Sequence, residues 1–140
     1  MEIKLTTEEI RYMALFEHLT RAEAIDCILD EKEVIFVVKK GDMGLAIGKK
    51  GININRVKKS IGKPIEIVEY ADDAVEFIQN SFYPVPVKKI KIFNEKDKKL
   101  AHVEVAMEDR GLAIGKNGRR IKKAKRLAQR HHDIDDVIIR

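Results

Sequence analysis

Two short turns that contain lysine and have glycine at each end combine residue types and spacing suited to binding an anion. They are Gly48-Lys-Lys-Gly51 and Gly115-Lys-Asn-Gly118. Glycine at both ends permits a backbone with positive φ, and the missing Cβ atoms let another chain approach closely. A helix predicted after each turn directs its first N–H groups at the turn, which favours an anion there. With Lys49, Lys50 and Lys116 adding positive charge, the turns predict contact with a sugar-phosphate backbone.

Each turn closes an eight-residue segment that occurs twice. Gly44–Gly51 reads GLAIGKKG and Gly111–Gly118 reads GLAIGKNG, 67 residues later, with seven of eight positions identical. The match continues downstream, where Ile54 aligns with Ile121. Self-similarity at a fixed offset indicates a duplicated structural unit. We therefore predict two domains, residues 1–70 and 71–140, without a flexible linker between them.

The segments around each turn follow the same order in both halves. The first half predicts a helix capped by Thr6 with Glu9 three residues on, because this pair forms a capping box. Strand-like segments follow at 22–29, 33–40 and 65–68, and a helix with one apolar face precedes Gly62, a C-cap glycine. The second half predicts a helix beginning at Asp72 and Asp73, then strands at 86–94, 99–107 and 137–139.

Composition and charge narrow the class of protein. The chain has 140 residues, is 44% hydrophobic and contains one cysteine, so a folded protein without an internal disulfide is expected, in a reducing cytoplasm. No apolar run approaches the ~18 residues needed to span a bilayer. Residues 1–70 carry 12 basic and 12 acidic residues, so residues 71–140 hold the whole net charge of +5. That excess suggests a polyanionic partner.

Nucleotide-dependent and metal-dependent enzymes fit the motifs poorly. A P-loop requires G-x-x-x-x-G-K-[ST], whereas the glycines of GLAIGK are four apart and no hydroxyl residue follows the lysine. His131-His132-Asp133 lacks the spacing of metal ligands, and we interpret it as a turn between helix and strand. We expect no catalytic residue, no metal and no cofactor.

The G-x-x-G turn in this order of elements resembles the KH domain, an RNA-binding module. The fuller family pattern I-G-x-x-G-x-x-I is met by Ile47–Ile54 and by Ile114–Ile121. Two strands precede the turn and one follows it, which is similar to the type II variant. The resemblance covers nearly all of the chain in two copies. It implies an α+β fold of two tandem type II KH domains, each a three-stranded mixed sheet packed on helices.

The tandem pair further resembles the archaeal NusA-like transcription factors, which consist of little beyond paired KH domains. The resemblance implies single-stranded RNA as the partner and a role in transcription elongation, termination or antitermination on nascent transcripts. Bacterial relatives add a polymerase-binding domain and an S1 domain that this sequence lacks, so RNA polymerase is a weaker candidate partner. No membrane partner is expected, and a monomer already presents two sites.

The resemblance implies that the glycine turns contact the RNA backbone. It also implies that the isoleucines on either side of each turn line an apolar groove for the bases. The density of basic residues in 119–130 adds candidates in the second copy, led by the first two arginines after the turn. The predicted RNA-binding residues are Ile47, Gly48, Lys49, Lys50, Gly51, Ile54, Ile114, Gly115, Lys116, Asn117, Gly118, Arg119, Arg120, Ile121 and Lys123.

Other interpretations remain open at this point. The glycine turns could be structural connections only, and the basic residues of 119–130 could be a solvated helix face. Among functions, a ribosome- or rRNA-associated KH protein and an interaction scaffold without RNA binding compete with the transcription factor. Acidic residues in the turns would favour the scaffold, and neither turn contains one.

Overall fold

The computed structural model of the protein describes residues 3–140 and divides them into two compact units. One unit is Lys4–Ala71, and the other is Asp72–Arg140 together with Ile3. Each contains three α-helices and a three-stranded mixed sheet. The α+β class with two such sheets is therefore confirmed. No helix within residues 3–140 combines the length and apolar character needed to cross a membrane.

The first unit follows the predicted order of elements. Its elements are α1 (Thr7–Thr20), β1 (Ala24–Leu29), β2 (Val34–Val38), α2 (Met43–Ile47), α3 (Ile52–Ile61) and β3 (Ile65–Glu69). A 3-10 turn over Lys49–Gly51 joins α2 to α3. Strand β2 is central, antiparallel to β1 and parallel to β3. Parallel neighbours need a crossover connection, which here consists of α2 and α3. The glycine turn joins these two helices and therefore lies within the crossover.

The second unit repeats this arrangement. Its elements are α4 (Ala74–Phe82), β4 (Lys89–Glu95), β5 (Lys98–Glu104), α5 (Arg110–Ile114), α6 (Arg119–His132) and β6 (Asp136–Ile139). Strand β5 is central, antiparallel to β4 and parallel to β6. A 3-10 turn over Met107–Asp109 precedes α5, and another over Lys116–Gly118 joins α5 to α6.

Local capping explains where the helices begin and end. The Thr6 hydroxyl accepts from the Glu9 N–H at 3.1 Å, and the Glu9 carboxylate accepts from the Thr6 N–H at 2.8 Å. The predicted capping box is thus confirmed, as is Gly62 as a left-handed C-cap, with φ of 76°. Helix α4 is capped by Asp73, whose carboxylate accepts from the Glu76 N–H at 3.0 Å.

Each sheet packs one face on its own helices to form a separate core. The first core joins Phe16 of α1 to Phe36 of β2, whose rings stack with centroids 4.3 Å apart, and includes fully buried Cys27. The second core groups alternate residues of β4–β6 with apolar residues of α4 and α6. Its fully buried members include Ile78, Phe82, Ala101, Val103, Ala124 and Val137.

Two strand boundaries differ from the prediction by three residues, and the start of one turn also differs. Strand β4 begins at Lys89 and not at 86, because Pro86 has no N–H to donate to a ladder. Strand β5 ends at Glu104, three residues early, because a 3-10 turn follows Ala106. The placement of His131 and His132 in a turn was wrong, since α6 includes both and the turn begins at Asp133, a left-handed C-cap.

Removing the Thr6 hydroxyl should destabilise the first unit. The Thr6→Ala variant loses the hydroxyl partner of the Glu9 N–H, so its free energy of unfolding should fall by about 1 kcal/mol. Urea unfolding followed by far-ultraviolet circular dichroism measures this. Thr7→Ala is the matched control, because Thr7 is exposed at the first helical position. Equal losses in both variants would contradict the role assigned to the cap.

Candidate nucleic-acid interface

The two glycine turns have nearly the same backbone conformation. In the first, Gly48 has φ 75° and ψ 171°, and Gly51 has φ 76° and ψ 15°. In the second, Gly115 has φ 81° and ψ 166°, and Gly118 has φ 75° and ψ 14°. Four glycines in conformations that other residues rarely adopt explain why the octapeptide keeps them in both copies.

The first glycine of each turn is also required by close packing. A Cβ atom on Gly48 would lie 2.8 Å from Cγ and 2.9 Å from the backbone nitrogen of Asn53. A Cβ on Gly115 would lie 2.8 Å from the backbone nitrogen of Arg120. The turn therefore lies directly against the first turn of the following helix. This contact holds the lysines of the turn at the N-terminus of that helix.

The second central residue of each turn is left-handed, which the sequence analysis missed. Lys50 has φ 55° and ψ 27°, and Asn117 has φ 58° and ψ 25°. Asparagine tolerates this conformation comparatively well, whereas lysine is strained by about 1 kcal/mol or more. Asn117 could have revealed it, because asparagine directly before glycine is typical of turns and tolerates a left-handed backbone.

A hydrogen bond links the helices on either side of each turn. The Asn53 amide nitrogen donates to the Leu45 carbonyl at 2.8 Å. In the second unit, the Arg120 guanidinium donates to the Leu112 carbonyl. These are the same positions of the repeat, 67 residues apart. The sequence analysis gave Asn53 no role and considered Arg120 only as a phosphate contact, whereas the structure gives Arg120 a bond that holds α5 to α6.

The turns present positive charge at the start of the longer helices. Lys49, Lys50 and Lys116 are exposed. The N-termini of α3 and α6 carry the partial positive charge of their helix dipoles toward the same place. Beside the first turn lies an open depression of about 560 Å³, lined by Lys49, Lys50, Ile52, Asn55, Arg56 and Lys59. Four of these six residues are cationic, so an anion is favoured along this side of α3 as well.

Apolar side chains flank each turn. Ile47 is 39% exposed and Ile114 is 41% exposed, unusual values for large aliphatic residues. Leu45 and Leu112, earlier in the same short helices, are also exposed. The predicted partners Ile54 and Ile121 are half-buried and pack against the cores. An aliphatic surface thus lies next to the cationic turn, with Ile47 and Ile114 as its accessible part.

The basic residues of α6 do not form one solvated face. Lys122 and Arg126 are exposed, whereas Arg119 and Arg120 are half-buried. Lys125 pairs with the Asp136 carboxylate at 3.2 Å. Lys123 is only 7% exposed and takes part in an interaction within the protein. Of the predicted residues, Lys123 is therefore the least accessible cation for a ligand.

The histidines at the end of α6 belong to a packed cluster. Their rings lie against Phe77, with centroids 5.4 Å away for His131 and 5.2 Å for His132. Among residues 3–140, no group of three or more His, Cys, Asp or Glu side chains is arranged to hold a metal ion.

Two family models match this chain. The KH domain model matches residues 9–96. The model of the NusA-like second KH domain matches residues 74–139. Together they cover both repeats and both glycine turns.

Known proteins resemble the chain over nearly its whole length. A probable transcription termination protein NusA of Halobacterium salinarum is 41% identical, with 98% of each chain covered. The protein of the same name from Methanocaldococcus jannaschii is 32% identical over 97% of this chain and 74% of its own. The crystal structure of APE1850 aligns with a TM-score of 0.84 at 35% identity, covering 97% of this chain and all of that one. This chain therefore belongs to the NusA-like family of KH-domain proteins.

Proposed function

We propose that the protein binds single-stranded RNA through its two glycine turns and acts as a transcription termination or elongation factor on nascent transcripts. The observation that carries this proposal is the recurrence of one turn geometry, with exposed lysines and a bare glycine backbone, in both units. A structural connection needs the glycines but not the lysines, since the fold buries neither Lys49 nor Lys116.

The geometry suits the RNA backbone at the turn and the bases beside it. The glycines let a phosphate approach the main chain closely, and KH turns clamp about four nucleotides in this way. Exposed lysines and the helix N-termini attract the phosphates. Ile47 and Ile114 then offer aliphatic surface to the bases. The chain has no tryptophan and only 6% aromatic residues, so base recognition rests on aliphatic packing and hydrogen bonds more than on aromatic stacking.

The contacts proposed for each residue differ in kind. The backbone clamp comprises Gly48–Gly51 and Gly115–Gly118, with Lys49, Lys50, Lys116 and Arg119 as the phosphate contacts. Arg120 has a second task, because it already bonds the Leu112 carbonyl. Ile54 and Ile121 support the groove from beneath, and Lys123 is omitted from the contact set because it is buried.

The names of the relatives, probable transcription termination proteins, support termination over the other roles considered for a KH pair. We assign the protein no catalytic activity, and we propose that one molecule suffices because both clamps lie in a single chain. An rRNA-associated role is the alternative within RNA biology. Sequencing the RNA crosslinked to the protein in cells distinguishes the two, since nascent transcripts and rRNA differ in sequence.

Reversing the charge of both turns should strongly weaken RNA binding. The variant is Lys49→Asp/Lys50→Asp/Lys116→Asp/Asn117→Asp, chosen because aspartate tolerates the left-handed backbone at 50 and 117. Affinity for a labelled, unstructured RNA of about 12 nucleotides should fall at least about tenfold, because phosphate contacts dominate binding. Fluorescence anisotropy at several salt concentrations measures this.

The matched control carries a similar charge change in the hairpin turns. Lys32, Lys96 and Lys98 are exposed and lie in or beside the β1–β2 and β4–β5 turns. Lys32→Asp/Lys96→Asp/Lys98→Asp should weaken binding far less, and circular dichroism should show both variants folded. If the turn variant binds as well as wild type, the glycine turns are only structural connections.

Replacing Arg120 with asparagine, the residue at this position in the first copy, should separate the effect of its hydrogen bond to Leu112 from the effect of its charge. In Arg120→Asn, the amide can replace the bond to the Leu112 carbonyl, as Asn53 does for Leu45. Arg120→Ala loses that bond, so its free energy of unfolding should fall by about 1 kcal/mol relative to Arg120→Asn. Both variants should bind RNA more weakly than wild type, since each removes a charge beside the turn. Urea unfolding and anisotropy measure the two effects, and equal stability of the two variants would contradict the bracing role.

A further inference from the structure

The sheet of the second unit has an outer face that its own core does not use. Side chains alternate along a strand, so one face of β4–β6 supplies the core while the other points away from it. Ile90, Ile92 and Val103 belong to the core face. Lys89 and Lys91 of β4 therefore share the outer face with the residues opposite them on β5, Glu104 and His102.

This outer face contains a cavity of about 420 Å³ that is strongly cationic. Its lining includes Lys89, Lys91, His102, Glu104, Arg110 and Arg140. Four permanent cations face one carboxylate, so the cavity is positive even with a neutral histidine. Like charges gathered in this way repel one another, and a bound polyanion would offset that cost.

A histidine with ordered neighbours lies in the cavity. Nη2 of Arg140 lies 3.2 Å from Nε2 of His102. The ring of Phe93 meets the imidazole edge to face, with centroids 4.4 Å apart. The Arg140 N–H donates to the Val103 carbonyl at 2.8 Å, which fixes the backbone that carries the guanidinium. A planar imidazole and a planar guanidinium beside lysines can contact both a base and a phosphate.

The fold does not require these cations. The first unit has the same topology, yet its strands AIDCIL, VIFVV and IEIVE contain no lysine, arginine or histidine. By strand pairing, Lys91 and His102 occupy the positions of Ile28 and Ile35 in the first sheet, and both isoleucines are buried. The first sheet buries this face under Ile28, Ile35 and Val37, whereas the second sheet leaves it accessible and lines it with cations. The cationic cavity is therefore a feature of the second copy.

The cavity lies near the second glycine turn. Arg110 lines the cavity and is the first residue of α5, the short helix that ends at Ile114 just before Gly115. A helix of this length, at about 1.5 Å rise for each residue, spans roughly 7 Å. An RNA strand that leaves the turn along α5 thus reaches the cavity within a short distance.

We propose that this cavity is a further subsite for RNA, which holds a phosphate and base of the strand adjoining the four nucleotides clamped at Gly115–Gly118. The proposal rests on the proposed function, since it extends the path of the same strand. The cationic lining and the nearness of the clamp favour RNA over a protein partner. The second unit would then contact a longer stretch of RNA than the first.

The test uses a background in which only the second turn can clamp RNA. In Lys49→Asp/Lys50→Asp, the cavity is neutralised by adding Lys89→Gln/Lys91→Gln/Arg140→Gln, all exposed positions. Anisotropy at low salt compares labelled RNAs of about 5 and 10 nucleotides, because one KH clamp holds about four. The matched control neutralises Lys32, Lys96 and Lys98 in the same background.

The expected result is a selective loss for the longer RNA. In the background and in the control, lengthening the RNA should raise affinity about tenfold, and neutralising the cavity should remove that gain while affinity for the shorter RNA stays within about twofold. The salt slope for the longer RNA should fall by about 0.7, because the cavity holds one phosphate and each neutralised phosphate adds about 0.7 to the slope on a single strand.

Different results would contradict the RNA subsite in the cavity and the RNA clamp at the glycine turns. If the neutralised cavity leaves affinity and salt slope for the longer RNA unchanged, the cavity is no RNA subsite and an acidic protein partner becomes the better occupant. If the variant with aspartate at all four turn positions binds RNA as wild type does, the clamp itself is wrong. In that case, a cavity variant that still weakens binding would make the cavity the main RNA site.

Discussion

The close contact between each glycine turn and the helix that follows it is the constraint on which the site depends. A Cβ atom on Gly48 or Gly115 would clash, because it would lie within 2.9 Å of the backbone nitrogen of Asn53 or Arg120. That contact brings the turn across the N-terminus of the longer helix. The lysines, the helix dipole and the bare backbone then converge at one point, although they come from separate elements.

The sheet topology determines where this point lies. In each unit the central strand and its parallel neighbour are joined by two helices, and the turn interrupts that crossover. The helix before the turn is only five residues long, so it depends on its neighbours more than on its own hydrogen bonds. The bonds from Asn53 to Leu45 and from Arg120 to Leu112 provide such support. The turn is thus held from both sides.

Much of this could be predicted from the sequence, because duplication supplied each pattern twice. The capping box at Thr6, the C-cap at Gly62 and the order of strands and helices all follow from local spacing. The strand ends near Pro86 and Ala106 were missed, since apolar residues continued past the last ladder pair. The burial of Lys123 and the second task of Arg120 could not be predicted, because both depend on which side chains pack beside them in space. The cationic cavity could not be predicted for the same reason, because its residues come from separate strands and a helix.

The backbone conformation of Lys50 limits which residues the first turn can accept at low cost. Its left-handed backbone opposes folding, whereas glycine or asparagine would adopt the same conformation at less cost. A residue retained against its own conformational preference marks a trade-off between stability and activity, which natural proteins accept at functional positions. The first copy keeps its ammonium group and the strain, while the second has asparagine and the relaxed backbone. The two turns are therefore different compromises between holding a ligand and holding a fold.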